Sequence, residues 1–330
     1  MIPVGYDDMG EILHQLNFKF EEIQISDLDH AVFLKRFSTI FLNCSEEIRY
    51  ATAVGITPFV LNGGTVYASD FASYVIERVF PNFNGAFRES SYVGVKIAEI
   101  ADLGLREVLG ESKIKLNFDL PSWRYLYSPH LDIRTYLLSR KRSGGQYPLL
   151  FSFKYGAGRV IFTSFHNHEQ VTGKERRLLE FLALRPVLSK VAEQSTTIVQ
   201  AARLSPHLEL VDKIQPDEWS LPRSFDVYSG EYVKLLLNWE GSAEVKMMVF
   251  YPDGSLYKQV RGDRPPFQVD IAGPSGRWSY KLTAIRTSLP NFAYIVTVGK
   301  SEATRKCPFC GKQVRAQASF CNACGRRIKK

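Results

Sequence analysis

The chain has 330 residues, of which 45% are apolar and 23% charged, enough for two cores of ordinary size and a smaller appendage. That balance excludes collagenous and disordered classes, and no apolar run approaches the ~18 residues that a membrane span requires. The formal charge of +8 suggests a polyanionic partner until it is divided: residues 301–330 hold eight Lys/Arg and one acid, which leaves 34 basic and 33 acidic side chains in the nearly neutral remainder.

The opening Met1-Ile2-Pro3-Val4-Gly5-Tyr6-Asp7-Asp8 has no basic stretch running into an apolar one, so no export signal is expected and the chain is placed in the cytoplasm. Met9, Ile12, Leu13 and Leu16 keep helical spacing behind Asp7, which predicts an amphipathic helix over 7–17 capped by that aspartate. A strand is expected through Phe20–Ile25. Ser38–Asn43 is a short, almost wholly apolar run of the kind found in the middle of a parallel sheet. Gly63-Gly64 turns the chain into Thr65-Val66-Tyr67-Ala68, after which Ser69-Asp70 opens a helix with Phe71, Tyr74, Val75 and Val79 on one face, stopped at Pro81.

Further on, Tyr147–Phe153 and Arg159–Thr163 flank Tyr155-Gly156-Ala157-Gly158 and predict a hairpin. Arg140-Lys141-Arg142-Ser143-Gly144-Gly145 is the solvated turn before it. Thr172 and Glu175 form a capping box ahead of Leu178, Leu179, Phe181 and Leu182, and Pro186 limits or kinks that helix. This alternation of helix and strand describes an α/β domain over 1–195. Past a linker around 195–212 the pattern changes to period two: Val233 to Trp239, Val245 to Val249, Phe267 to Ile271, Trp278 to Leu282 and Phe292 to Val298. Short strands separated by Pro/Gly/Asn turns predict a β-sandwich over 210–300.

The last segment, 301–330, carries Cys307-Pro308-Phe309-Cys310 and Cys321-Asn322-Ala323-Cys324, each pair followed by glycine, Gly311 or Gly325. Two C-x-x-C turns present four thiolates to one ion, so this is a zinc ribbon. With four protein ligands its single Zn²⁺ is expected to be structural. Phe309 and Phe320 are expected to pack its miniature core. The fifth cysteine, Cys44, has no disulfide partner and suits a reducing compartment.

Over residues 1–190 the chain resembles the class I glutamine amidotransferase-like superfamily, a flavodoxin-like α/β fold. The resemblance rests on Gly63-Gly64-Thr65-Val66-Tyr67-Ala68-Ser69-Asp70, placed where that family has its nucleophile elbow, and on Gly158-Arg159-Val160-Ile161-Phe162-Thr163-Ser164-Phe165-His166, placed where it has its catalytic histidine. It implies that Ser69 stands at the family's cysteine position, that Asn167-His168 replaces Pro-Glu with Glu169 one residue later, and that Asn43-Cys44-Ser45-Glu46 forms the oxyanion loop without its usual glycines. These departures imply loss of glutamine hydrolysis.

Two chemistries remain open for these residues. Ser69 as nucleophile, His166 as base and Glu169 or His168 as orienter would make a hydrolase or acyl transferase; Ser69 and Asp70 as helix caps would leave a binding crevice of Asn43, Cys44, Asp70 and His168. A second metal held by His166, His168 and Asp70 or Glu169 is a further option. The expected role is a ligand-binding or assembly module that meets a protein partner, with nucleic acid at the basic ribbon as the competing partner and no membrane contact.

Overall fold

The computed structural model describes residues 1, 5–127, 132–140, 145–167, 173–287, 291–301, 304–315, 320 and 323–327. They divide into two compact units, Met1–Lys190 and Val191–Lys330. Among them no helix is long and apolar enough to cross a membrane.

The first unit opens with helix α1 (Met9–Gln15), shorter than the predicted 7–17. Its cap is Asp8, which accepts from the Gly10 N–H, and not Asp7. Phe20–Ile25 is not a strand: the segment bonds to Met1 at Glu21 and Ile23 and joins no sheet among the described residues. Then follow α2 (Ala31–Leu34), β1 (Thr39–Leu42), α3 (Ile56–Leu61), β2 (Thr65–Ser69), α4 (Ser73–Val79), β3 (Phe87–Ser90), β4 (Gly94–Ile100), α5 (Leu103–Leu109), β5 (Lys113–Phe118), β6 (Trp123–Leu126), β7 (Arg134–Arg140), β8 (Gln146–Tyr155), β9 (Gly158–Thr163) and α6 (Gly173–Val187).

Seven of these strands form one mixed sheet in the order β1-β2-β9-β8-β7-β4-β5, and β3 and β6 pair separately. Only β1, β2 and β9 run parallel to one another; from β9 to β5 each neighbour is antiparallel. β1 is therefore terminal in the sheet and not in its middle, although Ile40, Phe41 and Leu42 are all buried. The hairpin of β8 and β9 matches its glycine signal. Pro186 is accommodated in the last turn of α6; Thr172 and the 141–144 turn lie outside the described residues, as do the side chains of 173–175.

Phe83 and Phe87 pack against the phenylalanines of β8 and β9. Phe83 lies 4.1 Å from Phe153 and Phe87 5.0 Å from Phe162, ring centre to ring centre. Edge-on and tilted aromatic pairs of this kind add to the gain from burying their area.

Helix α7 (Ser189–Ala201) leads into the second unit, whose strands are β10 (Ser205–Ile214), β11 (Arg223–Val227), β12 (Val233–Trp239), β13 (Ala243–Phe250), β14 (Leu256–Gly262), β15 (Phe267–Ile271), β16 (Gly276–Thr287), β17 (Phe292–Lys300), β18 (Thr304–Lys306) and β19 (Gln313–Arg315). Two four-stranded antiparallel sheets, β10-β17-β12-β15 and β11-β16-β13-β14, make the sandwich, and β18 pairs with β19 in the tail. The 195–212 stretch is accordingly helix and strand, not linker.

The two sheets are buried differently for one reason. β13 alternates buried and half-buried residues as a sheet with a wet outer face should, but every residue of β12 is buried. The outer face of β12 is covered by α7: Asn238 donates to Val191 O and to Ser195 Oγ, and Leu236 packs with Val199 and Leu204. The helix comes so close to β17 that a Cβ on Gly299 would lie 2.6 Å from Val199 Cγ1. Gly299→Ala should cost about 1–3 kcal/mol through overpacking, read as a lower denaturant midpoint for the second unit.

Candidate functional site

The carboxyl ends of β1, β2 and β9 lie side by side because those strands are parallel neighbours, and they deliver Asn43-Cys44, Ser69-Asp70 and Ser164 to Asn167 to one edge. At the strand-to-helix turn the residue in the left-handed region is Asp70, with φ of 43°. A non-glycine residue there is strained unless its surroundings hold it, and such positions cluster at functional turns. The elbow residue is therefore the aspartate, one position beyond Ser69.

Asp70 is fully buried and its carboxylate is closely engaged. Oδ1 accepts the Arg124 N–H at 2.7 Å; Oδ2 takes His166 Nε2 at 3.1 Å and the Cys44 thiol at 3.7 Å. The other ring nitrogen of His166, Nδ1, meets Asp119 Oδ1 at 3.0 Å. Asp119 leads out of β5 and remains partly exposed, so the imidazole bridges a buried carboxylate and one that reaches solvent. Arg124 is held by Glu77 at 2.8 Å, by Ser73 Oγ at 3.1 Å and over the Tyr74 ring at 3.8 Å, and this fixes the amide that grips Asp70.

Ser69 is elsewhere engaged. Its Oγ accepts the Cys44 N–H at 3.1 Å, and it makes no side-chain cap to the turn that follows. The imidazole meets Asp70 in its place. The same bond commits the Cys44 amide, one that the resemblance would have offered to an oxyanion. Asn43 Oδ1 accepts the Met9 N–H, a tie to α1. His168 and Glu169 lie outside the described residues.

Asp7, read as a cap, is buried and clamps the loop that bears the histidine. Its Oδ1 accepts the Asn167 N–H at 2.8 Å and its Oδ2 the Asn167 side chain at 2.7 Å, while Asn167 also meets the Tyr67 hydroxyl. Burial opposes a charge on His166, but the hydrogen bond and charge of Asp70, joined by Asp7 and Asp119, raise its pKa to about 9. Burial, followed by the charge of Asp70, pushes the Cys44 thiol up, so it stays protonated and unreactive. Phe118, Leu120, Trp123, Ser164 and Phe165 wall a cleft over Asp70 and His166 that, among the described residues, is too narrow to admit a water molecule.

A second cluster lies in the tail. The sulfurs of Cys307, Cys310 and Cys324 all fall within 4.8 Å of one another, and those of Cys307 and Cys324 are 3.8 Å apart. A disulfide would need about 2.05 Å, whereas two thiolates on one tetrahedral ion at about 2.3 Å per bond stand about 3.8 Å apart. The knuckle is formed by the Cys307 N–H bonding to Lys312 O and the Gly311 N–H to Cys307 O, with Gly311 and Gly325 at φ of 72° and 68°. Three cysteines could thus hold a metal ion; Cys321 lies outside the described residues. Phe309 and Phe320 do not pack a core: they are 53% and 56% exposed, and Arg326 lies over the Phe309 ring at 5.2 Å.

No protein-family description matches the chain, and no curated protein sequence does. Among solved structures it bears a loose likeness to a ThuA-like protein from Bacteroides uniformis, with 14% identity over 55% of this chain and 81% of that one and a TM-score of 0.39. A GMP synthase subunit from Thermoplasma acidophilum is similar at 10% identity, 56% and 89% coverage and a TM-score of 0.39. A glutamine amidotransferase from Thermotoga maritima is similar at 13% identity, 61% and 87% coverage and a TM-score of 0.36.

Proposed function

We propose that the first unit is an amidotransferase-like domain that has lost glutaminase chemistry and acts as a ligand-binding or assembly module. The observation that carries this reading is Asp70 at the elbow, with both carboxylate oxygens engaged by Arg124, His166 and Cys44. A nucleophile at such a turn has to present a free, reactive atom to substrate. Here the elbow carboxylate is an interior hydrogen-bond hub, the serine before it is engaged with a backbone amide, and the nearby thiol is held neutral. Incubation with glutamine should release no ammonia, and an acyl-type electrophile should leave Ser69 unlabelled. Turnover or labelling abolished by His166→Ala would instead establish the hydrolase reading.

The tail is read as a ribbon with one structural Zn²⁺ on Cys307, Cys310, Cys321 and Cys324. Its support is the sulfur spacing in the described cluster together with the shortness of the segment and its few large apolar side chains, which leave metal binding to supply the folding free energy, on the order of 10–16 kcal/mol in comparable small domains. Free thiols of this kind fit a reducing compartment. Cys324→Ser should abolish hydrogen-exchange protection at the Cys307 and Gly311 amides and leave the strands of the sandwich protected.

A second reading, nucleic-acid recruitment by the ribbon, is favoured by the exposed Phe309 and Phe320 beside Arg326 and Arg327, since aromatic faces next to cations stack on unpaired bases. It predicts binding to single-stranded oligonucleotides that weakens steeply with salt and disappears on Phe309→Ala with Arg326→Ala. Binding unaffected by that pair would reject it, and a protein partner would remain.

A further inference from the structure

We infer that Cys44, Asp70 and His166 form a second site for a divalent transition-metal ion of the zinc class, separate from the ribbon. The inference rests on the ligand-binding reading of the same crevice and names its ligand.

The donor atoms converge from the ends of three adjacent parallel strands. Cys44 Sγ, an Asp70 carboxylate oxygen and a His166 ring nitrogen all lie within 4.8 Å of one another, and all three residues are buried. Bond lengths of about 2.0–2.1 Å to nitrogen, 2.1 Å to oxygen and 2.3 Å to sulfur in a tetrahedron place nitrogen and oxygen about 3.4 Å apart and sulfur and oxygen about 3.6 Å apart. The observed separations are 3.1 Å and 3.7 Å. A thiolate and a carboxylate would neutralise a dication in this buried setting, and one sulfur, one nitrogen and one oxygen make a set of the mixed softness that zinc accepts.

Two features around the donors point the same way. His166 turns Nε2 towards the other donors and holds Nδ1 against Asp119, the carboxylate–histidine arrangement that orients an imidazole on a metal. Asp70 in turn is fixed through its other oxygen by the Arg124 N–H. Independently, Ser164 lines the cleft over Asp70 and His166, fully buried, and its Oγ has no hydrogen-bond partner among the described residues. A buried hydroxyl without a partner is disfavoured, so the wall beside Asp70 and His166 favours a polar or ionic neighbour. The binding step is an exchange: the thiol proton of Cys44 and the Nε2 proton of His166 leave to solvent as the sulfur–metal and nitrogen–metal bonds form, with no change of oxidation state.

The test is metal content of the full chain by mass spectrometry. Two zinc ions per chain are expected, falling to about one in Cys44→Ser and in His166→Gln, while Cys307→Ser removes the ribbon ion alone. A chain with all four ribbon cysteines replaced by serine and loaded with Co²⁺ should keep a sulfur-to-cobalt absorption band that vanishes on adding Cys44→Ser, which reads the site even if one single variant fails to fold. One ion per chain, lost entirely with the ribbon cysteines, or a cobalt band independent of Cys44, would overturn the second site. That result would leave the absence of glutamine turnover standing.

Discussion

The first unit is organised around a buried carboxyl group, Asp70, whose pKa burial raises and whose ionised form its hydrogen-bond partners favour. Asp70 adopts a left-handed backbone at the end of β2, and its carboxylate gathers the end of β1 through Cys44, the end of β9 through His166 and the start of β6 through the Arg124 amide. Isolated, a carboxylate so far from water would be strongly disfavoured. Partners from distant parts of the sequence make it tolerable, and each is thereby fixed in place. Asp7 repeats the device one layer away, tying the N-terminal segment to the loop after β9.

Parallel strand order explains why this happens at one edge. In β1, β2 and β9 the chain leaves the sheet on the same side, so three strand ends meet where a doubly wound sheet ordinarily keeps its ligand crevice. The antiparallel strands from β8 to β5 extend the sheet, and Asp119 at the end of β5 still reaches His166. The second unit answers a different constraint. Its sandwich has one sheet with a wet face and one covered by α7, and Gly299 is the notch that lets the helix lie close.

Some of this was legible in the residues and some was not, for physical reasons. Apolar periodicity located α4, the β8–β9 hairpin and the inner faces of the sandwich, because burial on one face leaves a periodic trace. It could not tell Ser69 from Asp70 as the elbow residue, since that choice depends on a backbone angle. Asp119, followed by Leu120-Pro121, carries the composition of an ordinary turn, and Asp7 and Asn167 that of caps and loops; their roles depend on contacts 47 and 160 positions apart. β10 was hidden because Pro206 suggests a linker and because its register is irregular there. Phe309 and Phe320 misled in the opposite direction: so short a segment has little interior for aromatic rings to fill, and these remain outside.

The unequal shelter of the cysteines has a consequence for ageing under oxidative stress. Cys310 and Cys324 stand exposed, whereas Cys44 is buried. Peroxide reaches accessible sulfur atoms first and carries them towards sulfenic and higher acids. Damage would thus begin in the appendage, costing the chain its terminal knuckle while the sheet and its charged heart outlast the insult.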